Sequence, residues 1–360
     1  MTRELKGYVP LSRIEFDTLT GLFSKLLHTQ HPPVIIPGEA ILGIEALAAG
    51  IAAPGRTILN IVTGPYGSLF GGWLERGGAT VAEVKVPFNE VVTVEEVAAA
   101  IERFKPCALS FVQAEVVTGG ANPAEEILKI ARDYNLITVM DSVSAVGGEE
   151  LRVDDWGVDF VAVGAQKALA GPNGVSAVGV SPRGWEFMES NANAPRNSIL
   201  SLLDLKPILD NGAEPVRVPA NIPTLEARAL IAALTRVAEE GLAQVIRRHE
   251  LAASSAVAGI KALGLEPWQK DGRYYSKLTT TVRIAGEQSL LIERPVGIVA
   301  PGDGELFGQL LRINHFGENA SRQGVEEAIE VIARLLERDA DAADAAVQVV
   351  QQVWEDGHDQ

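Results

Sequence analysis

Residues 136–148 read LITVMDSVSAVGG, and residues 160–174 read FVAVGAQKALAGPNG. Each opens on an uninterrupted apolar run and ends in a glycine-bearing loop. Hydrophobicity without alternation marks strands buried on both faces, as in parallel sheets covered by helices. Asp141 closes the first run, and Lys167 lies just past the second. Open α/β sheets offer side chains to ligands at the carboxyl ends of their strands. These two residues are therefore the leading site candidates.

Outward from this centre, strands are expected at 57–63, 80–86, 108–112, 136–141, 160–164 and 176–180. Helices are expected at 41–52, 68–76, 94–104 and 124–134. Such alternation predicts an α/β fold with a mostly parallel central sheet. The second half reads differently. Residues 225–263 are helical with a break near Gly241. Strand-like segments follow at 277–284, 297–300 and 310–314, and residues 324–337 have helical periodicity. The expected organisation is a large domain over 1–245, a smaller C-terminal α+β domain over 246–345 and an acidic tail over 346–360. The stretch from Arg338 onward leaves two readings open, an extension of the last helix or a frayed end.

With 360 residues, the chain is long enough for two domains. Its net charge is −16, and no Lys/Arg-rich run interrupts it. Nucleic acid and anionic membranes require clustered cations, so neither is expected as a partner. Cys107 is the single cysteine, which excludes an intrachain disulfide and a cysteine-based zinc site. A reducing cytoplasm is the expected compartment. Residues 1–10 lack an apolar signal core. No run approaches the roughly 20 apolar residues that a membrane span needs.

A third candidate, Arg312, lies far downstream in LLRINHFG. Lysine, aspartate and arginine in this arrangement match the needs of vitamin-B6 chemistry. A lysine amine forms a Schiff base with a pyridoxal aldehyde and shuttles the Cα proton. A carboxylate keeps the pyridine nitrogen protonated, so that the ring accepts electron density. A guanidinium suits a substrate carboxylate. Taken singly, each has a plainer reading: Asp141 as a turn or cap residue, Lys167 as an exposed lysine, Arg312 as an ion-pair partner.

GAQKALAGPNG resembles the lysine motif of the class V, fold-type I aminotransferases, in particular the alanine–glyoxylate and serine–pyruvate group. A nearer likeness is to the pyridoxamine–pyruvate aminotransferases. It is carried by PPVIIPGEAILGIEAL, VTGPYGSLFGGW, DSVSAVGG, NAPRNSILSLLD, TTTVR and LLRINHFG, over about residues 16–333. The resemblance implies a fold-type I enzyme using pyridoxal 5'-phosphate, or taking unphosphorylated pyridoxal or pyridoxamine as substrate. Its partners would be a small amino donor and a 2-oxo acid such as pyruvate. It implies Lys167 as catalytic residue and Arg312 as substrate clamp. Glu39, Ala40, Ile41, Tyr66, Asp141, Val143, Gln166 and Arg217 would line the cofactor's place. A homodimer or homotetramer follows from the same likeness, with Arg196 reaching a neighbouring site.

Glu39 is the most pointed of these. Phosphate-using relatives carry Ser-Gly-Thr or Ser-Gly-His at this helix start, where backbone N–H groups cup the anion. Here Glu39, Ala40 and Ile41 stand there. A carboxylate repels a dianion and accepts a hydrogen bond from a neutral hydroxymethyl group. The plain alternative is that Glu39 only caps its helix. Arg217 stands near the place of a partner-supplied phosphate ligand, so it either restores phosphate binding or pairs with Glu39.

Four departures qualify the likeness. The Gly-Pro-rich segment that opens relatives and lines their substrate pocket is expected to be missing. Val116 replaces a Ser or Thr that hydrogen-bonds the ring hydroxyl. Asp303 stands where the pyridoxamine enzymes have a second arginine, nine residues before Arg312. The stretch from Gly286 to Gly297 is short. A phosphate-retaining transaminase or lyase acting on a small amino acid, and a B6-binding protein without catalysis, are the alternatives these departures keep open.

Overall fold

A computed structural model describes residues 9–211, 221–284 and 286–358. Seven strands form its central sheet: β1 (Val34–Ile36), β2 (Thr57–Val62), β3 (Thr80–Lys85), β4 (Ala108–Val112), β5 (Ile137–Asp141), β6 (Phe160–Gly164) and β7 (Ser176–Val180). Their spatial order is β1-β7-β6-β5-β4-β2-β3. Neighbours from β3 to β6 pair in parallel, whereas β7 is antiparallel to both β6 and β1.

The apolar runs are continuous because both faces of the sheet are covered. Val161, Val163 and Met140 enter one core, while Phe160, Ala162 and Val139 enter another on the opposite face. The inner strands alternate between two interiors, whereas the edge strand β3 leaves Thr80, Glu83 and Lys85 in water. The helices Ala40–Ile51 and Pro65–Arg76 pack on the second face, and Val94–Phe104 and Ala124–Asp133 on the first. Elements not anticipated include the helices Pro182–Glu189 and Leu202–Asn211 and two before the first expected strand. β1 spans three residues between prolines, too few for a periodicity, and Arg13–Leu26 is a helix closed by a Ser12–Glu15 capping box.

The long helical stretch breaks where expected: Thr224–Glu240 ends at Gly241, whose φ of +87° suits glycine, and Leu242–Ala262 begins beyond it. A three-stranded antiparallel sheet follows, with Leu310–Ile313 between Thr280–Arg283 and Val299–Pro301. It packs with Leu242–Ala262 and Arg322–Leu335 around one core.

The expected acidic tail requires a correction. Residues 340–358 form a separate helix after a left-handed Glu337 (φ +53°), and its Ala346, Val350 and Trp354 are buried in that same core. The helix runs antiparallel to Leu242–Ala262, since Gly259 faces Val350 while Leu251 faces Gly357. It neither extends the preceding helix nor frays through His358.

Candidate active site

Asp141 and Lys167 meet because β5 and β6 are neighbours and both end at the same sheet edge. The turn after β5 is tied down on three sides. Val143 N–H donates to Asp141 Oδ1 (2.9 Å), Gln113 N–H to the Asp141 carbonyl (2.8 Å) and Ser142 N–H to the Ala162 carbonyl (2.9 Å). The Lys167 turn closes through Ala170 N–H to the Lys167 carbonyl (3.0 Å) and Gly171 N–H to the Ala165 carbonyl (2.8 Å). The C-terminal half grips this turn from outside. The Phe316 ring centroid lies 5.7 Å from Lys167 Nζ. At Gly317 (φ +64°) a Cβ would come within 2.9 Å of the Lys167 carbonyl oxygen.

One cleft brings together Glu39, Ile41, Tyr66, Asp141, Val143, Gln166 and Lys167. Ile44, Val112 and Ser144, which the sequence reading did not single out, complete its wall. Glu39 is the N-cap residue of Ala40–Ile51, but its side chain makes no capping bond. Gln166 Nε2 donates to Glu39 Oε1 instead, at 3.1 Å. The reading of Glu39 as a mere cap is therefore not supported. Ser176 Oγ holds the preceding Gly38 carbonyl at 2.9 Å. Ala40 is 2% exposed and packs in the core, so only its backbone is available to a ligand. Tyr66 sits in the first turn of Pro65–Arg76 and is 37% exposed.

Arg312 occupies the middle strand of the smaller sheet. Its Nε donates to the Pro301 carbonyl (3.1 Å), and its Nη1 pairs with Asp303 Oδ2 at 2.9 Å. Val116 is buried with Trp268, Leu306 and Leu310, an apolar contact in place of a hydroxyl donor. Arg196 pairs within its own chain with Asp204 (3.4 Å) and is otherwise exposed. Arg217 lies outside the described residues.

Glu115 is a further acidic residue at the site. It is 1% exposed, beneath the start of Pro65–Arg76, and its Oε1 accepts the Gly67 N–H at 3.3 Å. Its signal was a charged residue inside the apolar run FVQAEVV. Burial, reinforced by the Asp141 charge, pushes its carboxyl up to about 8. Burial likewise pushes Asp141 up to about 6, opposed by the Val143 N–H and by Lys167. Lys167 is pushed below its ordinary value by burial and by Arg312, while Asp141, Glu39 and Glu115 oppose the shift. A less basic amine is a better nucleophile and proton carrier at neutral pH.

A strand-end carboxylate withdrawn from water, a desolvated lysine beside it and a tyrosine at the cleft wall suit a pyridinium ring. The carboxylate would gain a cation, and the ring an aromatic neighbour. This fold and site define a fold-type I aminotransferase. The chain belongs to the aminotransferase class-V family, whose profile matches residues 48–289. It is 31% identical to pyridoxamine–pyruvate transaminase of Mesorhizobium japonicum, over 88% of this chain and 81% of that protein. It is 27% identical to alanine–glyoxylate aminotransferase of Callithrix jacchus, over 87% of this chain and 77% of that one. The solved pyridoxamine–pyruvate aminotransferase of Mesorhizobium loti superposes with a TM-score of 0.86 at 28% identity, covering 94% and 89% of the two chains. No helix among the described residues is long and apolar enough to cross a membrane.

Proposed function

We propose that this aminotransferase exchanges an amino group between free pyridoxamine and a small 2-oxo acid such as pyruvate. The carrying observation is the Glu39 carboxylate at the start of Ala40–Ile51, bonded by Gln166 where a phosphate would otherwise be cupped. An anion there disfavours a phosphorylated ring and accepts a hydroxymethyl hydrogen bond. A bound B6 ring supplies the carbon that exchanges the amino group and an electron sink for the proton shift. The protein's residues do the rest. Asp141 holds the ring nitrogen, Tyr66 covers a ring face and Val143 packs beside it. Lys167 Nζ anchors the ring and carries the proton, and Arg312 takes the oxo-acid carboxylate.

The likeness to alanine–glyoxylate aminotransferase supports a second reading, in which a phosphate-bearing cofactor is retained and a small amino acid is the donor. We further propose a cytoplasmic location, which fractionation tests, and a homodimer or homotetramer, which light scattering tests.

Purified protein given pyridoxamine and pyruvate is expected to release pyridoxal and alanine. Absence of conversion, or undiminished conversion by Lys167→Ala, would defeat the reading. Intact mass after borohydride reduction separates the two readings, since only the second leaves a phosphorylated adduct on Lys167.

A further inference from the structure

Arg312 is only 13% exposed, and its fork is already engaged by a carboxylate of the protein itself, Asp303. A mostly buried guanidinium without an anion is costly, so something must compensate it whenever no substrate carboxylate is present. Asp303 is 60% exposed. It lies between Gly302 and Gly304, with an extended backbone of φ −95° and ψ 147°. The loop around it is firm. Leu306 N–H donates to the Asp303 carbonyl (3.0 Å), and a Cβ on Gly302 would come within 2.2 Å of the Leu306 carbonyl oxygen. The backbone is therefore held, while the exposed side chain has water to turn into. The Asp303 charge is also felt at Tyr66, a residue of the cleft wall.

We infer that Asp303 is a built-in stand-in for the substrate carboxylate, a latch that closes on Arg312 while an amine without a carboxylate is bound and yields when an oxo acid arrives. The amine half of this statement rests on the reaction proposed above. Pyridoxamine brings an ammonium and no carboxylate, whereas an oxo acid brings a carboxylate and no ammonium. One cleft must then present a neutral clamp to the first and a cationic clamp to the second. Rotation of one side chain accomplishes this without movement of the main chain. The latch also selects among acids. The displaced Asp303 anion stays close to the clamp, and the Glu39 and Asp141 carboxylates line the cleft beside Lys167. A second carboxylate on the oxo acid meets repulsion, so the substrate class is the short monocarboxylate.

Full-length wild type, Asp303→Asn and Asp303→Ala are to be titrated calorimetrically with propionate, a monocarboxylate that cannot react. The KM and kcat for pyruvate and pyridoxamine are to be measured in parallel. Both variants are expected to bind propionate at least tenfold more tightly. The KM for pyruvate should fall by a similar factor with kcat changed far less, and the KM for pyridoxamine should rise. Unchanged or weaker propionate binding in both variants would overturn the latch, because a residue that merely orients Arg312 gives that sign. The propionate arm needs no turnover. If propionate tightens but wild type does not convert pyridoxamine, the carboxylate latch stands and the pyridoxamine reading falls.

Discussion

The two ends of the cleft solve their charge problems in opposite ways. At the sheet end, Asp141 and Glu115 are carboxyls withdrawn from water and pushed upward, and Lys167 is a cation pushed downward. No group there is matched to an ideal partner, so a ligand with complementary groups relieves the mismatch. At the Arg312 end the cation is already neutralised by Asp303 at 2.9 Å. The first end waits for a ligand, and the second must be opened by one. In a site with two substrates of unlike charge, preorganisation is thus confined to the part that both use.

The contrast can be broken most severely at Lys167. Lys167→Ala should lower transamination by at least about 10³-fold and abolish the reducible ring adduct, read by turnover and intact mass. Turnover within tenfold of wild type would dissolve the distinction between the ends. Next comes Arg312→Gln, expected to raise the KM for pyruvate by roughly 100-fold while the KM for pyridoxamine moves less than about threefold. Equal effects on both substrates would show that the two ends are not separate. Glu39→Ser sharpens the sheet end. It should improve binding of pyridoxal 5'-phosphate about tenfold and weaken that of pyridoxamine, as followed by absorbance titration. A change of opposite sign would remove Glu39 from the discrimination.

The smallest effect concerns the grip on Lys167. His249 Nε2 accepts the Gly317 N–H at 3.0 Å, so its Nδ1 carries the hydrogen donated to the Val245 carbonyl at 2.7 Å. Burial pushes His249 from an ordinary 6.5 down to about 4. The unfolded chain therefore takes up this proton first, and stability from this group is lost as pH falls from about 6.5 to about 4. Glu115 has the opposite sign, its contribution being lost as pH rises toward about 8. The clean measurement is accordingly a difference. Relative to wild type, His249→Gln should gain on the order of 3 kcal/mol between pH 7 and pH 4 in denaturant unfolding. A pH-independent difference would contradict the buried neutral histidine.

Legibility followed the same division. Asp141 and Lys167 were readable because each follows a local apolar run whose burial on two faces leaves a continuous pattern. Glu39 was readable from its place at a helix start, but its bond to Gln166 joins positions 127 residues apart. Asp303 was visible as a departure, yet only the pairing of Val299–Pro301 with Leu310–Ile313 reveals that it neutralises Arg312. Phe316 and Gly317 belonged to a quoted motif, but their contact with the Lys167 turn depends on how the two halves of the chain pack. Glu115 left a local trace that was overlooked. The terminal helix left one too, since Ala346, Val350 and Trp354 recur at a spacing of four, and the acidic residues on either side, Asp341, Asp344, Glu355 and Asp356, obscured it.

The single reversed strand has a consequence for recognition. Because β7 runs against β6 and β1, its first residue, Ser176, stands beside Gly164 and Ile36. A parallel strand would have delivered its last residue to that edge and sent Ser176 to the far side of the sheet. The hydroxyl that pins the Gly38 carbonyl, and with it the approach of Glu39, is there because of chain direction. Under the proposed reaction, the handling of the vitamin's hydroxymethyl arm is therefore inherited in part from topology, upstream of any residue that touches the ring.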